Sequence, residues 1–163
     1  MSELRAHYTA MVAAWNNPLH VFMADNGRDY HISPRSFKGR RMAKQQCYRN
    51  ATLLASENRS LTYVEGTMGM YGVPIDHAWV VNEDGVVFDP TVRKGLNDGT
   101  FDRVGPYYGV PFRTDYVLKA TLVNGVYGLL DGFYARKTLY KLIELGLEEG
   151  QQWLMDNREM KYA

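Results

Sequence analysis

The sequence predicts an α+β fold, and three observations predict it. Apolar residues recur at helical spacing near both ends of the chain. The middle holds short β-rich segments folded about Glu83-Asp84-Gly85. A helix with an apolar stripe opens at Cys47.

Taken in order, residues 3–15 place Leu4, Tyr8, Met11, Val12 and Trp15 on one broad helical face, and Asn16-Asn17-Pro18 ends it. Leu19 to Tyr30 is mixed, with a turn at Asn26-Gly27. Ser33 before Pro34 reads as an N-cap, with a short helix from Pro34 to about Met42. From Cys47 to about Ser56, Tyr48, Ala51, Leu54 and Ala55 form the stripe of the next helix. Leu61 to Gly66 has strand composition. Thr67 to Pro74, rich in Gly and Met, reads as a flexible loop beside the site. His77 to Asn82 and Val86 to Asp89 are the strands of a hairpin. Pro90 to Gly109 is turn-rich and reads as the rim of a cleft. Thr114-Asp115 caps a helix from about Tyr116 to Val123, ended by Asn124-Gly125. Residues 126–130 are a short apolar stretch, 136–145 a strongly amphipathic helix and 147–156 a second helical piece. With no repeat and no linker, residues 1–163 read as a single domain.

Composition narrows the function classes. Hydrophobic residues make up 45% and aromatics 13%, enough for a real core. Net charge is +1, so no global field draws the chain to nucleic acid or to a membrane surface. No stretch approaches the length of a membrane span, and the polar start lacks the apolar run of a signal peptide. A lone cysteine forms no internal disulfide, which fits a reducing, cytoplasmic setting. Arg35, Lys38, Arg40, Arg41 and Lys44 form a basic cluster just before Cys47. It reads either as a solvated face or as a positive local field that favours a thiolate or attracts an acidic substrate.

The chemistry concentrates in three residues. Cys47 stands at a helix start, where free backbone N–H groups and the positive end of the helix dipole meet its sulfur. His77, Trp79 and Val81 share one strand face, and a hairpin turning at Asp84-Gly85 carries Asp89 back toward Trp79 and His77. A thiol, an imidazole and a carboxylate are what a cysteine nucleophile needs. The thiolate attacks a carbonyl carbon, the imidazole carries the proton, and the carboxylate orients the ring. The Cys47 N–H would stabilise the oxyanion. Gln46 first, then Gln45 and Trp79, are the candidates for oxyanion or substrate contact, with Asn50 one turn along. Each residue also has a plainer reading: a buried bystander thiol, a satisfied core histidine, a turn aspartate. His7, His20 and His31 have no comparable partners in the sequence.

The stretch from Gln46 to Thr91 resembles the transglutaminase-like superfamily, through Cys47-Tyr48, His77-Ala78-Trp79 and Asp89-Pro90-Thr91. That resemblance implies a Cys-His-Asp triad of Cys47, His77 and Asp89. It also implies a papain-like or transglutaminase-like core, with the cysteine helix packed on an antiparallel sheet and helices flanking at both ends. Tyrosine after the cysteine departs from the more usual tryptophan or phenylalanine, and the hairpin is short. The chain looks like a stand-alone phage or bacterial member. The implied reaction runs through an acyl-enzyme on an amide or peptide bond, with no cofactor and no metal. Its substrate would be a protein, a peptide or a small amide, and the chain would be a monomer or a weak homo-oligomer. Hydrolysis is favoured, because water is always present. Acyl transfer to an amine is the alternative, and a non-catalytic binding protein retaining the fold is another. A metal site using the same three residues is the remaining rival.

Overall fold

The computed structural model describes residues 2–34, 36–37, 42–92, 104–130 and 154–155. Two helices open the chain, α1 (Glu3–Trp15) and α2 (Pro18–Asn26). Ser2 caps α1 by accepting from the Arg5 N–H. Asn17 does the same for α2 through Leu19, with Pro18 at the first position. The mixed stretch after Pro18 is thus this second helix, followed by strand β1 (Arg28–Tyr30). The helix expected from Pro34 to Met42 does not form where it is described. Ser36 N–H closes a turn onto the Ser33 carbonyl, and Met42 lies outside any helix.

Helix α3 (Cys47–Glu57) is followed by four antiparallel elements: β2 (Thr62–Met70), β3 (Val73–Val81), β4 (Val87–Phe88) and β5 (Val104–Phe112). Helix α4 (Thr114–Asn124) then ends at Gly125, in the left-handed conformation that glycine adopts without strain. The sheet order is β1-β5-β2-β3-β4. His31, just past β1, bridges to Val86, just before β4, so the two edges of the sheet meet and the sheet curls into a half-barrel. The architecture is α+β: four described helices packed on a curled antiparallel five-strand sheet.

Strand alternation separates two cores. Tyr63, Ala78, Val80, Tyr108, Val110 and Phe112 face the helices. Val64, Met68, Trp79, Val81 and Tyr107 face into the curl. His77 shares the parity of Trp79 and so belongs to the inner side.

Two expectations change here. Thr67 to Pro74 is not a loop. β2 and β3 run through it as one hairpin, in register from Thr62↔Val81 to Met70↔Val73, turning only at Tyr71-Gly72. Val104 to Gly109, expected as cleft rim, is part of an inner strand between β1 and β2. Its prolines fit because β1 pairs only with residues 107–109. Pro111 therefore needs no N–H on that side, and its carbonyl accepts from Met155. Leu154 bridges to Phe112 instead of continuing a helix. The expected 136–145 helix and the rest of 147–156 lie outside the described residues.

Gly66 lies opposite both His77 and Gly109 in register. A Cβ at Gly66 would stand 2.3 Å from the Tyr108 carbonyl oxygen, which is backbone and cannot swing aside. Gly66→Ala is therefore expected to cost about 1–3 kcal/mol, the range for forced overpacking. Urea unfolding midpoints of the two proteins check this.

Candidate active site

The site is built from the first turn of α3 and the far end of the β3–β4 hairpin. Asn82 organises the hairpin turn: its Oδ1 accepts from Asp84 and Val86 N–H, and Gly85 takes the positive φ. β4 is only two residues long, pairing Val80↔Phe88 and Val81↔Val87. The chain then leaves the sheet at Asp89. That exit, one residue past the Val80↔Phe88 pairing, puts the carboxylate beside β3.

His77 Nε2 and Asp89 Oδ2 are 2.6 Å apart, in a buried charge-assisted contact. The Cys47 side chain lies close enough to the His77 ring to add to the upward push on its pKa. With Nε2 turned to Asp89, Nδ1 is the ring nitrogen left for the sulfur. The structure thus brings Cys47, His77 and Asp89 together. Cys47 is partly exposed, whereas His77 and Asp89 are 4% and 2% exposed. The cysteine is partly open to solvent while the pair behind it is buried.

Burial opposes a charge on the His77 ring. Attraction to Asp89, its hydrogen bond and the Cys47 contact outweigh that penalty and push the imidazole up to about 10. Burial likewise opposes the Asp89 charge, but His77, the Thr91 N–H and the Tyr107 hydroxyl lower its carboxyl overall. The carboxylate is fully employed. Oδ1 accepts from the Thr91 and Val92 N–H groups at 2.9 and 3.2 Å, and Oδ2 accepts from Tyr107 at 2.9 Å as well as from His77. Asp89 N–H in turn donates to the Ser36 carbonyl.

Tyr107 has no counterpart in the sequence reading. It sits on β5, in the stretch whose glycines and prolines suggest turns. The only signal for it was aromatic, strand-type composition at Tyr107-Tyr108. Asn50 also has a different place from the one expected. It is fully buried one turn into α3, and its amide donates to the Ala43 carbonyl and to Thr91 Oγ1. It therefore ties the cysteine helix to the Asp-Pro-Thr turn and is not turned toward an oxyanion. Trp79 is 0% exposed. Its ring stacks on His77 at a 6.1 Å centroid distance and meets Tyr107 edge-on at 5.0 Å. It is a wall behind the imidazole, beyond the reach of a substrate. Gln45 and Gln46 are both exposed. Gln45 has φ 58° and Gln46 occupies the N-cap of α3, without a side-chain cap bond to the helix. The Cys47 N–H in the first turn is the backbone donor nearest the sulfur. Of the basic cluster, only Lys44 falls within the described residues, and it is exposed.

Among the described residues no group of three His, Cys, Asp or Glu side chains is arranged to hold a metal ion. His77 and Asp89 point at each other and not at a common centre. No helix among the described residues is long and apolar enough to cross a membrane. No family model, curated protein or solved structure matches the chain.

The pair makes stability depend on pH in a definite sense. The raised His77 contributes fully below its unfolded value of about 6.5, and that contribution is lost as pH rises through about 10. The lowered Asp89 contributes above its unfolded value of about 4 and is lost as pH falls through its lower folded value. The stability difference between wild type and Asp89→Asn is therefore expected to be largest between about pH 4 and 6.5 and to shrink toward pH 10. Urea unfolding across that range measures it, and a difference that stays constant from pH 6.5 to 10 would contradict the pairing.

Proposed function

We propose that this chain is a cysteine-nucleophile enzyme of the transglutaminase-like type, hydrolysing an amide or peptide bond through an acyl-enzyme. The observation that carries the reading is the series from the partly exposed Cys47 through the His77 ring to the buried Asp89 carboxylate. The resemblance of Gln46–Thr91 to that superfamily supports it, as does the cysteine helix lying against an antiparallel sheet. In this reading the finer architecture is the papain-like or transglutaminase-like core, and the setting is cytoplasmic.

The steps follow from the geometry. The Cys47 thiolate adds to the carbonyl carbon, and the Cys47 N–H stabilises the oxyanion. As the C–N bond breaks, the His77 imidazolium gives its proton to the leaving amine. This leaves a thioester on Cys47 and a neutral ring. A water then loses a proton to His77 as its oxygen adds to the acyl carbon. The C–S bond breaks, the carboxylic acid leaves, and the thiolate–imidazolium pair is restored. Asp89 stays ionised throughout and holds the ring in register. Trp79 and Tyr107 keep that motion small by packing behind it.

On a fluorogenic amide or ester library, Cys47→Ala is expected to abolish turnover and His77→Ala to lower it about 10³-fold or more. Asp89→Asn, an orienting change, should cost less than loss of the nucleophile. Intact-mass detection of an acyl adduct on wild type, absent from Cys47→Ala, assigns the intermediate. Full turnover by Cys47→Ala on a substrate the wild type cleaves would overturn the reading.

A further inference from the structure

The hydrogen bonds to Asp89 divide unequally between its two oxygens. Oδ1 takes main-chain donors, the Thr91 and Val92 N–H groups. Oδ2 takes side chains: His77 Nε2 lies at 2.6 Å and the Tyr107 hydroxyl donates at 2.9 Å. The imidazole and the phenol thus draw on the same oxygen.

Tyr107 is fixed at that position by the sheet. It is 1% exposed and lies within β5, opposite Tyr30 of β1 on one side and Met68 of β2 on the other. Its ring meets Trp79 edge-on and stands 6.4 Å from the His77 ring. Burial, and then the Asp89 charge, push the phenol well above its ordinary value, so the hydroxyl keeps its proton and is a standing donor. Around the His77 ring, Asp89 comes from the turn after β4, Cys47 from α3 and Tyr107 from β5, while β2 places Gly66 opposite. A hydrogen bond donated to a carboxylate favours its charged form and makes it a weaker base. A weaker base at Nε2 holds the imidazolium less tightly, and the ring gives up its Nδ1 proton more readily.

We propose that Tyr107 is a positioning residue for the proton transfer: by sharing Oδ2 with His77, its hydroxyl limits the hold of Asp89 on the ring and keeps the Nδ1 proton transferable to the leaving group. Tyr107 touches neither the sulfur nor the substrate and acts through Asp89. The inference rests on the reading of Cys47 as nucleophile and His77 as its proton donor.

Two variants and two readouts test it. Tyr107→Phe removes the donor. Site-specific replacement of Tyr107 by 3-fluorotyrosine keeps the ring and the hydroxyl but makes the hydroxyl a stronger donor, so it reads out even where the phenylalanine variant fails to fold. The first readout is the proton resonance of His77 Nε2–H at neutral pH. It should move downfield in Tyr107→Phe, as Asp89 tightens on the ring, and upfield in the fluorotyrosine protein. The second is the acylation of Cys47 by phenyl acetate relative to p-nitrophenyl acetate, followed as the burst of released phenol. Phenolate is the more basic leaving group and departs with the His77 proton, whereas p-nitrophenolate departs without it. The phenyl to p-nitrophenyl ratio should fall about threefold to tenfold in Tyr107→Phe, the scale of one hydrogen bond to a charged group, and rise in the fluorotyrosine protein. Loss of packing alone slows both esters together and leaves the ratio unchanged. Either readout unmoved in the variants that fold, with Cys47 still acylated, overturns the role of Tyr107 and leaves the nucleophile reading standing. A wild-type Cys47 inert to both esters and to iodoacetamide overturns both.

Discussion

The buried contact between His77 and Asp89 is the constraint around which the sheet is arranged. Two ionisable groups held away from water cost several kcal/mol each to desolvate unless every polar atom is matched. The chain meets that requirement from three directions. The Asp-Pro-Thr turn folds Thr91 and Val92 N–H onto Oδ1, β5 sends the Tyr107 hydroxyl to Oδ2, and β3 brings the imidazole. Removing any one donor leaves a buried charge short of a partner. Elements far apart in sequence are therefore tied to one carboxylate.

The curl of the sheet serves the same end. The inner side is crowded with aromatic rings: Tyr30 and Tyr107 both meet Trp79 edge-on, and Trp79 lies against His77. Such packing leaves the imidazole one usable direction, toward the rim where α3 begins. At Gly109 a Cβ would stand 2.8 Å from the Trp79 ring, so the flat stretch of backbone beneath the tryptophan is part of the same fit. Asn50 links the cysteine helix to Thr91, which ties Cys47 to the turn that presents Asp89.

Much of this was legible in the sequence, for identifiable reasons. α1, α3 and the Asn82–Val86 turn announce themselves through periodicity, capping and turn chemistry, all of which act over a few residues. Asp89 could be brought back toward His77 because a tight hairpin fixes register. Where sequence and structure differ, one cause recurs: tertiary context overrides local composition. Gly69 looks like a loop residue, yet it lies within β2, where the β5 backbone at Gly105 presses against it. Gly105-Pro106 looks like a turn, yet β5 runs through it and keeps Pro106 where β1 does not pair. Trp79 looked like a surface for substrate because it shares the parity of His77, but the curl turns that side inward. Tyr107 could not be found at all without knowing that β5 crosses beneath the site.

The proposed chemistry depends on His77 being held as an imidazolium between Asp89 and Cys47. Ring ¹⁵N chemical shifts of His77, followed from pH 5 to 11, test it most directly. The structure predicts that both ring nitrogens stay protonated through pH 8 and that the ring titrates toward about 10. Titration near the ordinary imidazole value of about 6.5, with one nitrogen bare at pH 8, would contradict it.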